Sequence, residues 1–130
     1  MASRAWKAAE KGAWKAAEKA AARVLNGKRI GVTGINTNDV VTDKLAVEVK
    51  HTMYPPVFVT KALEQARRNR QGDRVPVAVI HPKGSAHYLA VLTLHDLATL
   101  IADAEAQAVT GLLTRLAQES DAAACENGGR

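Results

Sequence analysis

Twelve residues, Asp39 to Lys50, constrain the fold more than any other part of the chain. The run Asp39-Val40-Val41-Thr42-Asp43-Lys44-Leu45-Ala46-Val47-Glu48-Val49-Lys50 reads as two strands rich in β-branched residues, joined at Asp43-Lys44. A two-residue turn there pairs Thr42 with Leu45 and, counting outward, sets Asp39 opposite Glu48. Side chains alternate along a strand, so Lys50 shares the face of Glu48, while Leu45, Val47 and Val49 point the other way into a core. Asp-Lys is not a favoured type I′ pair, and a longer connection that shifts the register is the alternative.

In the first register, one face of the hairpin presents two carboxylates and an ammonium. Like charges set opposite one another are destabilising unless a cation lies between them. A hard divalent ion such as Mg²⁺ is satisfied by one or two carboxylates, with waters and substrate oxygens completing its shell. The competing reading makes Glu48 and Lys50 an exposed pair on the solvent side of a strand, with Asp39 a turn residue at the strand's start.

The segments around the hairpin supply helices and further strands. Ala5 to Leu25 is dominated by Ala, Lys and Glu and ends at Asn26-Gly27, a helix with a left-handed stop. It holds a repeat, Trp6-Lys7-Ala8-Ala9-Glu10-Lys11 and Trp14-Lys15-Ala16-Ala17-Glu18-Lys19, read as a duplication of about two turns that keeps both copies on similar faces. Glu18 lies beside the apolar positions Trp14, Ala21 and Leu25, which places a carboxylate next to the face turned toward the sheet. A rim residue with its stem on the core is the alternative. Glu10 lies farther from the end that leads into the sheet and reads as the surface copy.

A first strand is expected over Arg29 to Thr33, and a second helix opens at Pro55-Pro56 and runs to about Arg70, with Val59, Ala62, Leu63 and Ala66 on its inner face. Val75 to Ile80 and Tyr88 to Leu92 read as two more strands. Thr93 with Asp96 forms a capping box for a long last helix carrying Leu97, Ile101, Ala104, Ala108, Leu112 and Leu116 on one face, which Gly111 bends or divides. The order α-β-β-β-α-β-β-α predicts an α/β fold, a mixed central sheet flanked by helices. One domain is expected over residues 1–119, with 120–130 a disordered tail.

The balance of 18 Lys plus Arg against 13 Asp plus Glu, a formal charge of +5, favours an anionic partner. The single cysteine, Cys125, excludes an intrachain disulfide and a Cys-rich zinc site. His81, His87 and His95 show no metal-ligand spacing, and no Gly-rich phosphate loop or Ser-His-Asp arrangement is evident. No apolar stretch is long enough for a signal peptide core or a membrane span, so a cytoplasmic protein without membrane contact is expected.

With these residues the chain resembles the PD-(D/E)XK nuclease superfamily, and within it the small Holliday-junction-resolvase-like members, including those encoded by phages and prophages. The resemblance rests on Glu18 in the first helix, Gly27-Lys28-Arg29 leading into the first strand, Asp39 in the second, and Glu48-Val49-Lys50 in the third. Gln65-Ala66 resembles the Gln-containing helix that follows the E-x-K strand in the family. Two features depart from the pattern: Asn38-Asp39 stands for the family's Pro-Asp, and residues 34–38 lack an Arg near the nucleic acid.

The resemblance implies a restriction-endonuclease-like core and a DNA endonuclease. Asp39, Glu48 and the Val49 carbonyl would hold Mg²⁺, with Mn²⁺ as a substitute and Glu18 helping directly or through water. Lys50 would position and activate the attacking water, leaving a 5′-phosphate and a 3′-hydroxyl. Lys28, Arg29, Lys61, Arg67 and Arg68 are candidate phosphate contacts, and His51 and Gln65 further DNA contacts, although charged helix faces are commonly only solvated. Resolving a four-way junction takes two symmetry-related cuts, which implies a homodimer, and the long last helix offers the apolar row for it unless it folds back at Gly111. The alternatives are a non-catalytic DNA-binding protein of the same fold, a nuclease acting on linear or single-stranded DNA, or a structural protein whose long last helix mediates assembly. A phage-encoded protein would work in the host cytoplasm.

Overall fold

A computed structural model describes residues 4–31 and 38–128. The elements are α1 (Arg4–Val24), β1 (Lys28–Arg29), β2 (Val40–Val41), β3 (Ala46–Val47), α2 (Val57–Asn69), β4 (Ala78–Ile80), β5 (Leu89–Val91) and α3 (Leu94–Asn127). The class is mixed α/β and the order is the one expected from the sequence. The strands form two antiparallel sheets, β1-β2-β3 and β4-β5, where one mixed sheet was expected. Pro76 accounts for part of this: it has no N–H to give a ladder, and β4 begins only at Ala78. Of the strand expected over Arg29 to Thr33, Arg29 lies in β1, Ile30 and Gly31 are outside any strand, and Val32 and Thr33 fall outside the described residues.

α1 ends as Asn26-Gly27 dictates, with the two residues doing different work. Asn26 takes the left-handed conformation, at φ 51°. The Gly27 N–H donates to the Ala22 carbonyl at 2.8 Å and the Asn26 N–H to the Arg23 carbonyl at 3.3 Å, the bond pattern of a Schellman cap. Gly27 is required for space: a Cβ there would stand 2.9 Å from the Val41 carbonyl oxygen and 3.0 Å from Val40 Cγ1. This close approach brings α1 onto the three-stranded sheet. Ala21, Ala22 and Val40 form the buried cluster, with Val47, Val49 and Leu94 packed against it.

Register in that sheet matches the sequence expectation. Val40 pairs with Val47 and Val41 with Ala46, and the Thr42 N–H donates to the Leu45 carbonyl at 2.9 Å. The unfavourable Asp43-Lys44 turn is held by Thr42, whose Oγ1 accepts from the Lys44 N–H at 3.1 Å and the Leu45 N–H at 2.9 Å.

α2 lies against β4 and turns Val59, Ala62, Leu63 and Ala66 inward, while Lys61, Gln65, Arg67 and Arg68 are exposed. Thr93 caps α3 as expected, its Oγ1 accepting from the Asp96 N–H at 3.1 Å. α3 is unbroken at Gly111 and runs to Asn127, so most of the stretch expected to be a structureless tail is helical. The chain divides into two compact units, Met1–Asp96 and Leu97–Arg130, instead of one domain ending near 119. Leu94, within the first unit, packs against the buried cluster, whereas α3 beyond Asp96 has no buried residue and builds no core.

Candidate active site

The site grows from the end of the β2–β3 hairpin. Extending the register by one step sets Asp39 against Glu48. The ladder stops there because the Asp39 side chain takes over a backbone role: its Oδ2 accepts the Val49 N–H at 2.7 Å. That bond fixes the carboxylate's orientation and prevents further strand pairing. On the same face, Lys50 Nζ donates to Glu48 Oε1 at 2.6 Å, with both side chains open to solvent. The hydrogen bond to Glu48 and its negative charge hold the Lys50 ammonium above the ordinary lysine value. Desolvation opposes this slightly, and the charge of Asp39 adds to it. Lys50 is therefore a cation throughout the neutral range and serves as a hydrogen-bond donor.

A cavity of about 610 Å³ opens over this face. Asp39, Glu48, Val49, Lys50, His51 and Met53 line it from the hairpin and the segment after it. Glu10, Lys11 and Trp14 line it from α1. Of the residues expected at the centre, the fold thus brings together Asp39, Glu48, Val49 and Lys50, with His51 beside them. Lys28, Lys61, Gln65, Arg67 and Arg68 are exposed and stand outside this cavity.

Glu18 also stands outside it. Its carboxylate is 2 % exposed and accepts from Arg29 Nε at 2.6 Å, so both residues are committed to each other. The helical repeat explains the difference from expectation. Glu10 and Glu18 are eight positions apart, which turns the second copy by about 80° from the first. Glu18 falls on the face of Ala21 and Ala22 that packs on Val40, where a buried carboxylate needs a cationic partner, and Arg29 on β1 supplies it. Glu10, read from the sequence as the surface copy, is the helix carboxylate that reaches the cavity. The eight-residue offset is the signal that separates the two copies; Lys11 and Trp14 belong to the same repeat, and Met53 carries no motif that marks it.

Among the described residues no group of three or more His, Cys, Asp or Glu side chains is arranged to hold a metal ion. The pair Asp39 and Glu48 nevertheless suits Mg²⁺, which retains several waters and needs only one or two protein carboxylates. The bonds from Val49 and Lys50 each occupy one oxygen of their carboxylate and leave the other for a ligand. No helix among the described residues is long and apolar enough to cross a membrane. No protein-family model, curated protein or solved structure matches this chain.

Proposed function

We propose that the chain is a Mg²⁺-dependent DNA endonuclease with a restriction-endonuclease-like core, related to the PD-(D/E)XK resolvases. The observation that supports it most is the register placing Asp39 against Glu48, with Lys50 on the same face and a cavity over all three. A protein that only bound phosphate would gain nothing from two carboxylates in such a place, since they repel the ligand.

Asp39 and Glu48 would hold the metal, with the Val49 carbonyl beside them. When bound, Mg²⁺ supplies a water of lowered pKa and neutralises charge developing on the phosphate. Asp39 arrives pre-oriented by the Val49 N–H. Lys50, held by Glu48 and charged, donates to the attacking water or to a phosphate oxygen and stabilises the transition state without acting as a base. Arg29 and Glu18 would act one step away, keeping β1 on α1 so that the β2–β3 hairpin keeps its register. Lys28, Lys61, Arg67 and Arg68, all exposed, remain candidates for DNA backbone contacts.

Two such centres would be brought to a four-way junction by a homodimer. α3 favours this: Leu100, Val109, Leu112, Leu113 and Leu116 are all exposed on a helix with no buried residue. The decisive experiment compares cleavage of four-way junctions, flaps, linear duplex and single strands in Mg²⁺, Mn²⁺, Ca²⁺ and EDTA, with the oligomeric state measured by sedimentation. Paired nicks in junction strands, made by a dimer in Mg²⁺ or Mn²⁺ and abolished by EDTA, are expected. Cleavage in EDTA would overturn the mechanism, a monomer on bound junction DNA would overturn the dimer, and equal cutting of linear duplex would discard the resolvase assignment.

A further inference from the structure

The N-terminal helix carries a feature that the cleavage centre alone does not use. Lys7, Lys11, Lys15, Lys19 and Arg23 recur at every fourth position of α1, and all five are exposed. Among the described residues none of them is in an ion pair. Successive members rise by about 6 Å and turn by about 40°, which makes one continuous cationic ridge winding slowly around the helix. The ridge meets the cavity at Lys11, and one turn further along, Trp14 lines the same cavity half-buried, with Met53 also on its wall. Asp39, Glu48 and Lys50 line the same cavity.

We infer that α1 is a track for an unpaired nucleic-acid strand: the cationic ridge follows the phosphates, and Trp14 stacks an unpaired base inside the cavity beside the cleavage centre. This rests on the nuclease reading for the purpose of the track, and it names what the DNA must offer at the cut: a nucleotide left or made unpaired beside the scissile phosphate, as at the opened branch point of a junction. A basic groove joined to an aromatic platform is the arrangement by which proteins hold single strands without reading sequence, since every base offers a π face. A base inside a duplex enters a side cavity only after it has been unstacked and unpaired, a cost that an already unpaired base does not carry. At about 610 Å³ the cavity lies within the range of roughly 300–1,000 Å³ in which small molecules are held. An acidic segment without aromatic side chains, such as polyglutamate, would satisfy the cations but has no ring to place on the indole.

The full chain carrying Trp6→Phe leaves Trp14 as the single tryptophan of the two in the sequence and is titrated in EDTA with oligothymidylate, a blunt hairpin duplex and polyglutamate. Saturable quenching of Trp14 by oligothymidylate, with weaker binding of the duplex and no quenching by polyglutamate, is expected. In the otherwise unchanged chain, Trp14→Ala should lose roughly 5- to 150-fold in single-strand affinity, while Trp14→Phe keeps a ring and most of it. Replacing Lys11, Lys15 and Lys19 together by Ala, all exposed positions, should reduce the log–log salt slope by about 2.

Unchanged Trp14 emission, equal affinity for duplex, equal quenching by polyglutamate, or a triple variant with an unaltered salt slope would each overturn the track. If those appear while DNA is cut in Mg²⁺, the nuclease reading survives alone. Quenching and the salt effect without cleavage of any DNA would leave the track standing and remove the nuclease.

Discussion

Two carboxylate–cation pairs in the first unit have the same length and opposite surroundings. Glu18 meets Arg29 at 2.6 Å with the carboxylate 2 % and the guanidinium 25 % exposed. Glu48 meets Lys50 at 2.6 Å with the carboxylate 52 % and the ammonium 79 % exposed. The first pair lies between α1 and β1, so its members have exchanged water for each other and any change leaves a charge stranded. The second lies in water, where solvent screening leaves an ion pair little to contribute to stability. Stability therefore explains Glu18 and Arg29 but not the placing of Glu48 and Lys50 beside Asp39. The difference assigns the buried pair to the fold and leaves the exposed one for chemistry.

The sharpest way to break this division is to remove the exposed group. Glu48→Ala and Lys50→Ala are expected to cut the cleavage rate by a factor on the order of 10²–10³ or more, with the melting temperature little changed. Asp39→Asn belongs with them and is preferred to Asp39→Ala, because Asn keeps an oxygen for the Val49 N–H. Near-normal turnover in Mg²⁺ from all three variants would show that the exposed face is only a solvated surface.

The buried pair should answer in the opposite way. Glu18→Ala strands the Arg29 guanidinium against the helix and is expected to cost about 3 kcal/mol, the low end for a broken buried pair because Arg29 retains partial contact with solvent. In a domain this small that lowers the melting temperature by more than about 10 °C. Pairing Glu18→Ala with Arg29→Met should recover part of the loss, since no charge is then left buried. A Glu18→Ala protein with an unchanged melting temperature and no cleavage would reverse the assignment and return Glu18 to the cleavage centre.

How much of this was legible in the sequence follows from which interactions are local. The hairpin register came from counting outward from Asp43-Lys44, because alternation and a two-residue turn fix each pairing in turn, and Thr42 holds the turn that its residues would not favour. The stop at Asn26-Gly27, the inner face of α2 and the Thr93 cap are local for the same reason. The roles of Glu10 and Glu18 were not, because a helical wheel gives a residue's angle but not which neighbour it meets there. The length of α3 differs from expectation because its small polar end carries no packing signal, and Gly111 alone does not force a break: an interior glycine costs a helix only about 1 kcal/mol relative to alanine.

Gly27 gives a smaller test of the buried side, since it sits between the helix that carries Glu18 and the strand that carries Arg29. Gly27→Ala would press a methyl group on the Val41 carbonyl, a backbone atom that cannot rotate away, and should cost about 1–3 kcal/mol by overpacking. Chemical denaturation would measure it. An unchanged midpoint would mean that α1 is not held on the sheet at this point, and would weaken the structural role given to the Glu18–Arg29 pair.

The smallest effect concerns the proton on Lys50. Its ammonium is stabilised first by the hydrogen bond and charge of Glu48, with burial opposing and Asp39 adding, so it should be among the last lysines to lose its proton as pH rises. A folded-state value above the unfolded one means that any contribution to stability is complete below the unfolded value and disappears as pH rises through the folded one. For a side chain this exposed, the titration itself is the useful readout. Following the lysine Cε and Nζ resonances, Glu48→Gln should bring the Lys50 midpoint down toward the ordinary lysine value, and Asp39→Asn should bring it down by less. In each variant Lys50 remains charged at neutral pH, so cleavage lost in Glu48→Gln must come from the missing carboxylate and not from a discharged lysine. A Lys50 midpoint among the other lysines, unmoved by Glu48→Gln, would mean that the exposed pair does not persist in solution. Glu48 and Lys50 would then reach the site as independent groups, and the contrast with Glu18 and Arg29 would be greater still.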